Sequence, residues 1–318
     1  MNTAIHTTLQ KPGILHTRFK DIVKNGELLL MSMPVMLHIL IFCYLPIFGI
    51  ILAFKNFRFD KGIFGSEWVG FKNFEFFFTS PDAWNVTKNT ILLNLLFMVV
   101  GTTISIIFAM MLNEVRQKIV VKMYQTAMFF PYFLSWIVVS FMLFSILSYD
   151  HGILNHIFLK VGIEPVNWYT SPEYWPVILL LSNVWKGTGV GSVIYYATLM
   201  GIDKEYYEAA EIDGATKLQC VRHISIPFLI PIITITTLLS IGGIIRADFG
   251  LFFFLPRDIG LLYPTTDVID TYVFRALRQV GDAGMASAVG LFQSVVGFIL
   301  VMFSNYTVKR FEKENALF

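Results

Sequence analysis

A short polar segment carries the residues best suited to contact another molecule. It lies between two long apolar runs and reads Glu208-Ala209-Ala210-Glu211-Ile212-Asp213-Gly214. The two alanines have almost no side-chain bulk, so a partner surface can approach the backbone there, while the glutamates offer charged contacts. We therefore expect a docking element in this segment, and no residue of the chain is predicted to be catalytic.

Local signals predict two short helices with a bend between them. Asp203 can cap the first helix, because its carboxylate accepts hydrogen bonds from backbone N–H groups that have no partner within the helix. Gly214 can end it, because glycine adopts the left-handed conformation without a Cβ penalty. A second helix over residues 215–223 is then expected to leave at a new angle. Pro227 would open the next apolar run, where its missing N–H costs nothing.

The spacing of this segment resembles a known motif, the EAA loop in permease subunits of binding-protein-dependent ABC importers. The matching positions are Glu208-Ala209-Ala210, Gly214, Ile224, Ile226 and Pro227. Ile226 stands where leucine is usual. The alternative is that Glu-Ala-Ala is only a good helix former, but that explains neither the glycine nor the proline spacing.

The resemblance covers about residues 27–310. Further segments carry it in pairs, residues 68–74 with 89–90, 185–189 with 199–203, and 267–275 with 288–292, and the last pair is similar to the oligosaccharide and polysaccharide permease branch. It implies that residues 203–226, with Glu208, Ala209, Ala210, Asp213 and Gly214, form a coupling loop in a cleft of a separate ATP-hydrolysing subunit. It also implies a dimer of ATP-binding subunits that hold ATP and Mg, a second homologous permease, an extracytoplasmic solute-binding protein and a carbohydrate substrate.

The bulk composition predicts a membrane protein. Of the 318 residues, 55% are hydrophobic and only 14% are charged, and the mean hydropathy is +0.64. Soluble domains usually carry about 25% charged residues. The net charge of +2 gives no reason to expect a nucleic-acid partner. The six histidines show no ligand spacing, so we expect no metal, and Cys43 and Cys220 are predicted to lie at different depths, too far apart for a disulfide.

Six charge-poor intervals are long enough to cross a bilayer, which takes about 20 apolar residues per helix. They are residues 28–54, 88–114, 122–150, 175–200, 228–245 and 285–306. We therefore predict an all-α integral membrane protein with six transmembrane helices. Residues 27–310 would form the permease domain, with cytoplasmic tails at 1–26 and 311–318.

Basic residues set the predicted orientation. The short link between the second and third intervals holds Arg116, Lys118 and Lys122, whereas the next link holds Lys160 as its only Lys or Arg. Because positive charge favours the cytoplasmic side, both termini and the Glu208 segment are expected there. The location expected is thus a bacterial cytoplasmic membrane, in contact with lipid.

Two segments between the last two spans are not counted as crossings. Residues 249–256 are too short to span and are expected to form an external or re-entrant piece. Residues 267–280 have apolar side chains at helical spacing and read as an external amphipathic helix. That helix would either reach toward a binding protein or lie flat on the membrane surface.

Three residues are candidates for the substrate pathway: Trp185, Lys186 and Arg246. Lys186 lies inside a predicted span, where a charge is costly unless it faces a cavity or a partner. Its candidate partners are sugar hydroxyls, a carboxylated sugar or a second permease, and the alternative is a contact with backbone carbonyls or the interface. Trp185 can stack on a sugar or serve as packing. Arg246 can gate entry with Asp248, or the two can form a simple ion pair.

No Gly-x-x-x-x-Gly-Lys-Ser/Thr loop occurs in the sequence, so we expect any ATP hydrolysis to come from another subunit. The predicted function is ATP-driven import of an oligosaccharide by alternating access. The rival hypothesis is a stand-alone secondary transporter or channel for a small polar solute. That rival predicts acidic ion sites within the membrane and often a repeat between halves, and the predicted spans contain neither.

Overall fold

A computed structural model describes residues 25–75 and 79–311 of the chain. The predicted tails, 1–26 and 311–318, therefore lie almost wholly outside the described residues. The principal helices follow in chain order: α1 Gly26–Ile39, α2 Gly62–Gly65, α3 Pro81–Asn113, α4 Lys118–Phe129, α5 Trp136–Leu147, α6 Ile153–Lys160, α7 Trp175–Met200, α8 Lys204–Ile212, α9 Lys217–Cys220, α10 Ile226–Gly242, α11 Phe249–Phe254, α12 Tyr263–Thr266, α13 Ile269–Arg275 and α14 Ala283–Phe311. A two-residue hairpin pairs β1, Lys55–Asn56, with β2, Glu67–Trp68, in antiparallel register.

Among the described residues, 25–52 form a unit of their own. Here α1 continues through a π-helical turn at Leu40–Tyr44 into a 3-10 helix that ends at Phe54. This confirms that the interval 28–54 is helical. No side chain of α1 is buried, and apolar side chains such as Met31 and Phe48 are about three-quarters exposed. A helix that is apolar all round and uncovered is typical of a membrane span.

The second unit, Ala53 onward, contains four more helices long and apolar enough to cross a membrane. These are Pro81–Asn113, Pro172–Met200, Lys217–Gly242 and Ala283–Arg310. Pro81–Asn113 and Lys217–Gly242 begin well before the predicted intervals 88–114 and 228–245, although the second ends at Gly242 and not at residue 245. Ala283–Arg310 extends the predicted interval 285–306 at both ends, and α7 matches residues 175–200. The described residues thus hold five such helices, or six if one bent pair is counted as a span.

The bent pair corrects the prediction of a continuous third span over 122–150. Lys118–Phe133 and Trp136–Leu147 meet at 95°. Two residues between them, Leu134 and Ser135, adopt extended backbone, and the Ser135 hydroxyl caps α5 by accepting a hydrogen bond from the Val138 N–H. Pro131, just before the break, has no N–H to continue a helical ladder. We call this segment, Phe130–Ser135, the joint.

Glycines allow close packing around α7. A Cβ on Gly189 would lie 2.1 Å from the carbonyl oxygen of Met128 in α4, and one on Gly191 would lie 2.4 Å from Ser105 Oγ in α3. Real side chains do not approach so closely, so Gly189 is required against the Met128 backbone, whereas a side chain at position 191 would displace the Ser105 hydroxyl. The two glycines bring α4 and α3 against two faces of α7.

The region between α10 and α14 is a buried assembly of short helices. Leu251 and Leu255 pack with Trp175 and Leu179 in one fully buried cluster. Residues 249–256 therefore do not cross a membrane, as expected. The side chains of Leu251 and Leu255 anchor the segment in this buried cluster.

The predicted amphipathic helix over 267–280 is present in part. It forms α13 with a π-helical turn at Ala276–Val280, and Gly281 ends it at φ 76°. Ile269 packs against Val86 and Met285, and Thr271 is 1% exposed. Part of its apolar face is therefore covered by α3 and α14, and both alternatives, contact with a binding protein and contact with the membrane surface, stay predictions.

Candidate functional site

The polar segment forms the predicted helix α8 with the predicted cap. Asp203 accepts a hydrogen bond from the Glu205 N–H at 3.1 Å. The chain reverses at Gly214, whose φ is +80°, and a Cβ placed on this residue would have no atom within 4 Å. Backbone conformation, and not crowding, therefore requires glycine there.

The second helix differs from its prediction. It begins at Lys217, after a capping box in which the Thr216 N–H donates to Gln219 Oε1 at 2.7 Å. It does not stop before Pro227. A π-helical turn, Val221–Ser225, joins α9 directly to α10, so one helix runs from Lys217 to Gly242. The π-helical turn already departs from the regular hydrogen-bond pattern of an α-helix, so the missing N–H of Pro227 does not break the helix.

One face of α8 is tied to the long helices. The Tyr207 hydroxyl lies 2.9 Å from Ser225 Oγ, and its ring packs with Tyr195, Leu199 and Leu229 from α7 and α10. At the first residue of α9, Lys217 Nζ forms an exposed ion pair with Glu114 Oε2, at the end of α3, at 2.6 Å. Tyr207 thus connects α8 to α7 and α10, and Lys217 connects α9 to the end of α3.

The other face of α8 is open. Glu208, Ala209 and Asp213 are exposed, and Ala210 is half-buried. Two apolar side chains flank the turn at Gly214 and are almost fully exposed, Ile212 at 87% and Leu218 at 77%. Sequence reasoning missed this pair, because an isolated Ile or Leu between polar residues gives no signal of exposure. Small, acidic and apolar groups together form a surface suited to protein contact.

A cavity of about 260 Å3 lies among α3, α7 and α10. Its polar lining is uncharged and comes from Thr102, Ser105, Asn183, Thr188, Thr236 and Ser240. Several of these hydroxyls donate to carbonyls of their own helix, as Thr188 does to Val184 at 2.6 Å. Their oxygens keep acceptor capacity toward the cavity. Hydroxyl and amide groups of this kind can exchange hydrogen bonds with a polar, uncharged ligand surface.

The predicted pathway residues Trp185 and Lys186 do not line this cavity. Lys186 Nζ donates to the carbonyl oxygen of Tyr132 at 2.8 Å. The structure thus shows the alternative in which Lys186 donates a hydrogen bond to a backbone carbonyl. Trp185, which directly precedes Lys186 in α7, is 44% exposed.

An ion pair between Arg246 and Asp248, one of the two alternatives for these residues, is not formed among the described side chains. Arg246 donates to Ser294 Oγ at 2.8 Å. Asp248 caps α11 and accepts a hydrogen bond from Trp136 Nε1 at 2.7 Å. Both side chains therefore hold helices together, and neither lines the cavity among α3, α7 and α10.

A buried ionic cluster near α13 was not predicted. Arg275, 12% exposed, pairs with Asp258 at 2.9 Å and with Asp267, and its guanidinium lies 4.0 Å from the ring centroid of Tyr263. Burial raises the pKa of Asp267, while hydrogen bonds from Arg275 and Thr271 act in the opposite direction. Asp258 has a φ of 52°, a strained conformation for a residue other than glycine. These residues lie in successive short turns of one stretch of chain, and their pairing depends on how those turns fold back on each other.

Within residues 25–75 and 79–311, no three His, Cys, Asp or Glu side chains come together in a way that could hold a metal ion.

Comparison with known families decides the identity of the chain. Residues 101–313 match the family model described as "Binding-protein-dependent transport system inner membrane component". The chain belongs to this family. The matched range includes α7, α8 and α10, so it contains the whole polar segment and its supporting helices.

Similar proteins include carbohydrate permeases. The permease is 33% identical over 293 residues to the polygalacturonan/rhamnogalacturonan transport system permease protein YteP of Bacillus subtilis, which covers 92% of this chain and 91% of that protein. It is 32% identical, with a TM-score of 0.85, to a chain in the crystal structure of a bacterial ABC transporter involved in the import of the acidic polysaccharide alginate. That match covers 93% of this chain and 99% of the other.

A second solved structure is the bacterial alginate ABC transporter in complex with an alginate pentasaccharide-bound periplasmic protein. It matches with a TM-score of 0.83 at 32% identity, covering 93% of this chain and 98% of that chain. The resemblance to permeases of carbohydrate ABC importers, predicted from the loop spacing, is thus confirmed. The permease is a multi-pass membrane protein of that class.

Proposed function

We propose that the permease is the transmembrane subunit of an ATP-driven importer that moves an oligosaccharide across a bacterial cytoplasmic membrane by alternating access. The observation that carries this proposal is α8. Its inner face packs against α7 and α10 through Tyr207, while Glu208, Ala209 and Ile212 are exposed on its other side and Asp213 is exposed at its end. Such a helix can receive force from a partner and pass it to the pathway.

The partner is a pair of ATP-binding subunits that hold ATP and Mg. Ala209 and Ala210 let the cleft of such a subunit approach the backbone, and Ile212 and Leu218 supply apolar area for burial, about 25 cal/mol per Å2. Closure of the two ATP-binding subunits would then tilt α7 and α10 and open the pathway to the other side. Coupling requires that ATP and the ATP-binding subunits favour one conformation of the permease over the other.

The orientation follows from the position of positive charge. Arg116 lies on the link that leads into α4, Lys118 and Lys122 lie in the first turns of α4, and Glu114 beside them pairs with Lys217 of α9. The link and the polar segment are therefore on the same side, which the positive-inside rule assigns to the cytoplasm. Both termini would lie there too.

The substrate proposal is supported by the cavity and by the relatives. Uncharged hydroxyl and amide groups line the space among α3, α7 and α10, which suits sugar hydroxyls. The similar proteins named above handle polygalacturonan, rhamnogalacturonan or alginate. A second homologous permease would complete the pathway, and an extracytoplasmic binding protein would deliver the oligosaccharide, as the alginate complex supports.

Site-specific cross-linking tests the coupling contact. Cysteine is placed at Ile212 in a chain whose Cys43 and Cys220 are replaced by serine, and a photoactivatable maleimide is attached in the assembled complex. We expect a cross-link to the ATP-hydrolysing subunit, because Ile212 is the most exposed apolar residue of the polar segment.

The matched control is Ile163→Cys. Ile163 is 52% exposed, just beyond α6, on a link predicted to face away from the cytoplasm. A photoactivatable group at position 163 should form no cross-link to the ATP-hydrolysing subunit. A cross-link from position 163 but none from 212 would reverse the orientation and refute the coupling assignment.

A further inference from the structure

The two halves of the broken span are attached to different neighbours. On the α4 side, Gly189 of α7 leaves no room for a Cβ against the Met128 carbonyl. On the α5 side, the Ser140 hydroxyl donates to the Phe254 carbonyl of α11 at 2.7 Å. A Cβ on Gly250 of α11 would lie 2.3 Å from Trp136 Cδ1. The joint therefore lies between a half that packs closely on the middle of α7 and a half that packs closely on α11, while α5, α11 and the start of α7 share the buried cluster around Trp175 and Leu179.

Lys186 lies at this joint. Its ammonium donates to the Tyr132 carbonyl at 2.8 Å and lies 5.2 Å from the Tyr132 ring centroid and 5.0 Å from that of Trp136. Tyr132 belongs to the last helical turn before the break, where carbonyls lack donors within the helix. A cation at that end also complements the helix dipole. One side chain of α7 thus contacts both halves of the broken span.

A second contact extends this connection to α11. Trp136, the first residue of α5, donates from Nε1 to Asp248 Oδ2 at 2.7 Å. The other oxygen of Asp248 accepts from the Gly250 N–H at 2.9 Å and thereby caps α11. Lys186, Trp136 and Asp248 therefore form a continuous series of contacts from the middle of α7 to α11.

We propose that Lys186 is a positioning residue that latches the joint in the conformation shown here and so restrains ATP hydrolysis until loaded binding protein arrives. This rests on the proposed function. The chain leads from α7 to α8 through only Gly201–Asp203, so movement of α8 displaces α7 and with it the ammonium. A charge at this depth needs polar contacts, and the Tyr132 carbonyl with the two rings supplies them in this conformation. The latch therefore favours one state of the pathway over the other.

The test uses the complete complex with its own partner subunits in lipid nanodiscs. Lys186→Met removes the donor and the charge while keeping an unbranched chain of similar length. We expect ATP hydrolysis measured without binding protein to rise about tenfold, within the range typical of coupling between two sites. Lys186→Arg should keep ATP hydrolysis without binding protein near the wild-type rate, because a guanidinium can donate to the Tyr132 carbonyl and lie over the aromatic rings.

Two further variants sharpen the result. Trp136→Phe keeps a ring beside the ammonium but deletes the hydrogen bond to Asp248, so a smaller rise in the same activity is expected. It also keeps the proposal testable if the Lys186→Met complex fails to assemble. Lys160→Met, a change at an exposed lysine at the end of α6, should leave hydrolysis without binding protein unchanged.

Three outcomes would overturn the latch. If Lys186→Met changes only the binding-protein concentration that gives half-maximal hydrolysis, Lys186 handles the delivered substrate. If the Met and Arg variants both lower the amount of assembled complex but not its activity per molecule, the contact is only structural. If loaded binding protein does not stimulate even the wild-type complex, the proposed function itself fails and the latch fails with it.

Discussion

Replacing Gly214 by valine should lower ATP-driven uptake by at least tenfold while leaving the permease in the membrane. Gly214 has a φ of +80° in open space, so a valine side chain would meet no neighbour. It would instead strain the backbone, by about 1–2 kcal/mol for an ordinary L-residue in this conformation and more for a β-branched one. The turn would rearrange, and α8 would present its open face at a different angle to the ATP-binding subunit. Uptake and ATP hydrolysis by the reconstituted complex measure the effect.

Two variants separate the coupling role from backbone strain. Gly214→Asn should keep most of the uptake, because asparagine tolerates left-handed backbone better than other side chains do. Gly162→Val introduces the same strain at φ +79°, also in open space, on the link after α6. It should leave coupling intact. Equal uptake by the Gly214→Val complex and the wild type would show that the angle of α8 does not matter.

Arg275→Met should destabilise the permease by about 3–5 kcal/mol, the loss typical when one partner of a buried ion pair is removed. The substitution leaves the Asp258 and Asp267 carboxylates without their cation, and the Asp267 side chain is only 7% exposed. The apparent midpoint of thermal unfolding in detergent measures this loss. Because Asp267 loses its compensating charge, Asp267→Asn in the same chain should recover part of the stability.

The control is an ion pair at the surface. Arg58 and Asp60 are both more than half exposed, so Arg58→Met should cost no more than about 1 kcal/mol. If the two arginine substitutions lower the unfolding midpoint equally, the buried cluster stabilises the fold no more than a surface pair does.

The sequence predicted those features that local patterns determine. Charge-free intervals located the long helices, because a span must remove every charge from lipid over about 20 residues. The cap at Asp203 and the reversal at Gly214 depend on one residue each and its immediate neighbours. The spacing of residues 208–227 predicted the family, since all the residues of that motif lie in one continuous segment.

Features that depend on distant contacts were missed. The break at Leu134–Ser135 is supported by Lys186 and Asp248, which lie 54 and 112 residues from their partners Tyr132 and Trp136. Pro131 disfavours a continuous helix, but it does not set the angle of 95°. The Arg275 cluster joins turns that are near in sequence, and its pairing depends on how those turns fold together. Lys186 was singled out correctly as a charge in a span, yet its partner could not be read from sequence because backbone carbonyls leave no pattern.

The most direct test of the central claim, that an ATP-hydrolysing partner drives this permease, is uptake into sealed proteoliposomes. The complete complex is reconstituted with loaded binding protein outside and ATP with Mg2+ inside, and the labelled oligosaccharide retained by that binding protein is followed. We expect accumulation only with ATP, unchanged by ionophores that dissipate ion gradients, and none with the permease alone. Accumulation by the isolated permease without nucleotide, or accumulation that an ion gradient alone sustains, would contradict the account and favour a stand-alone transporter.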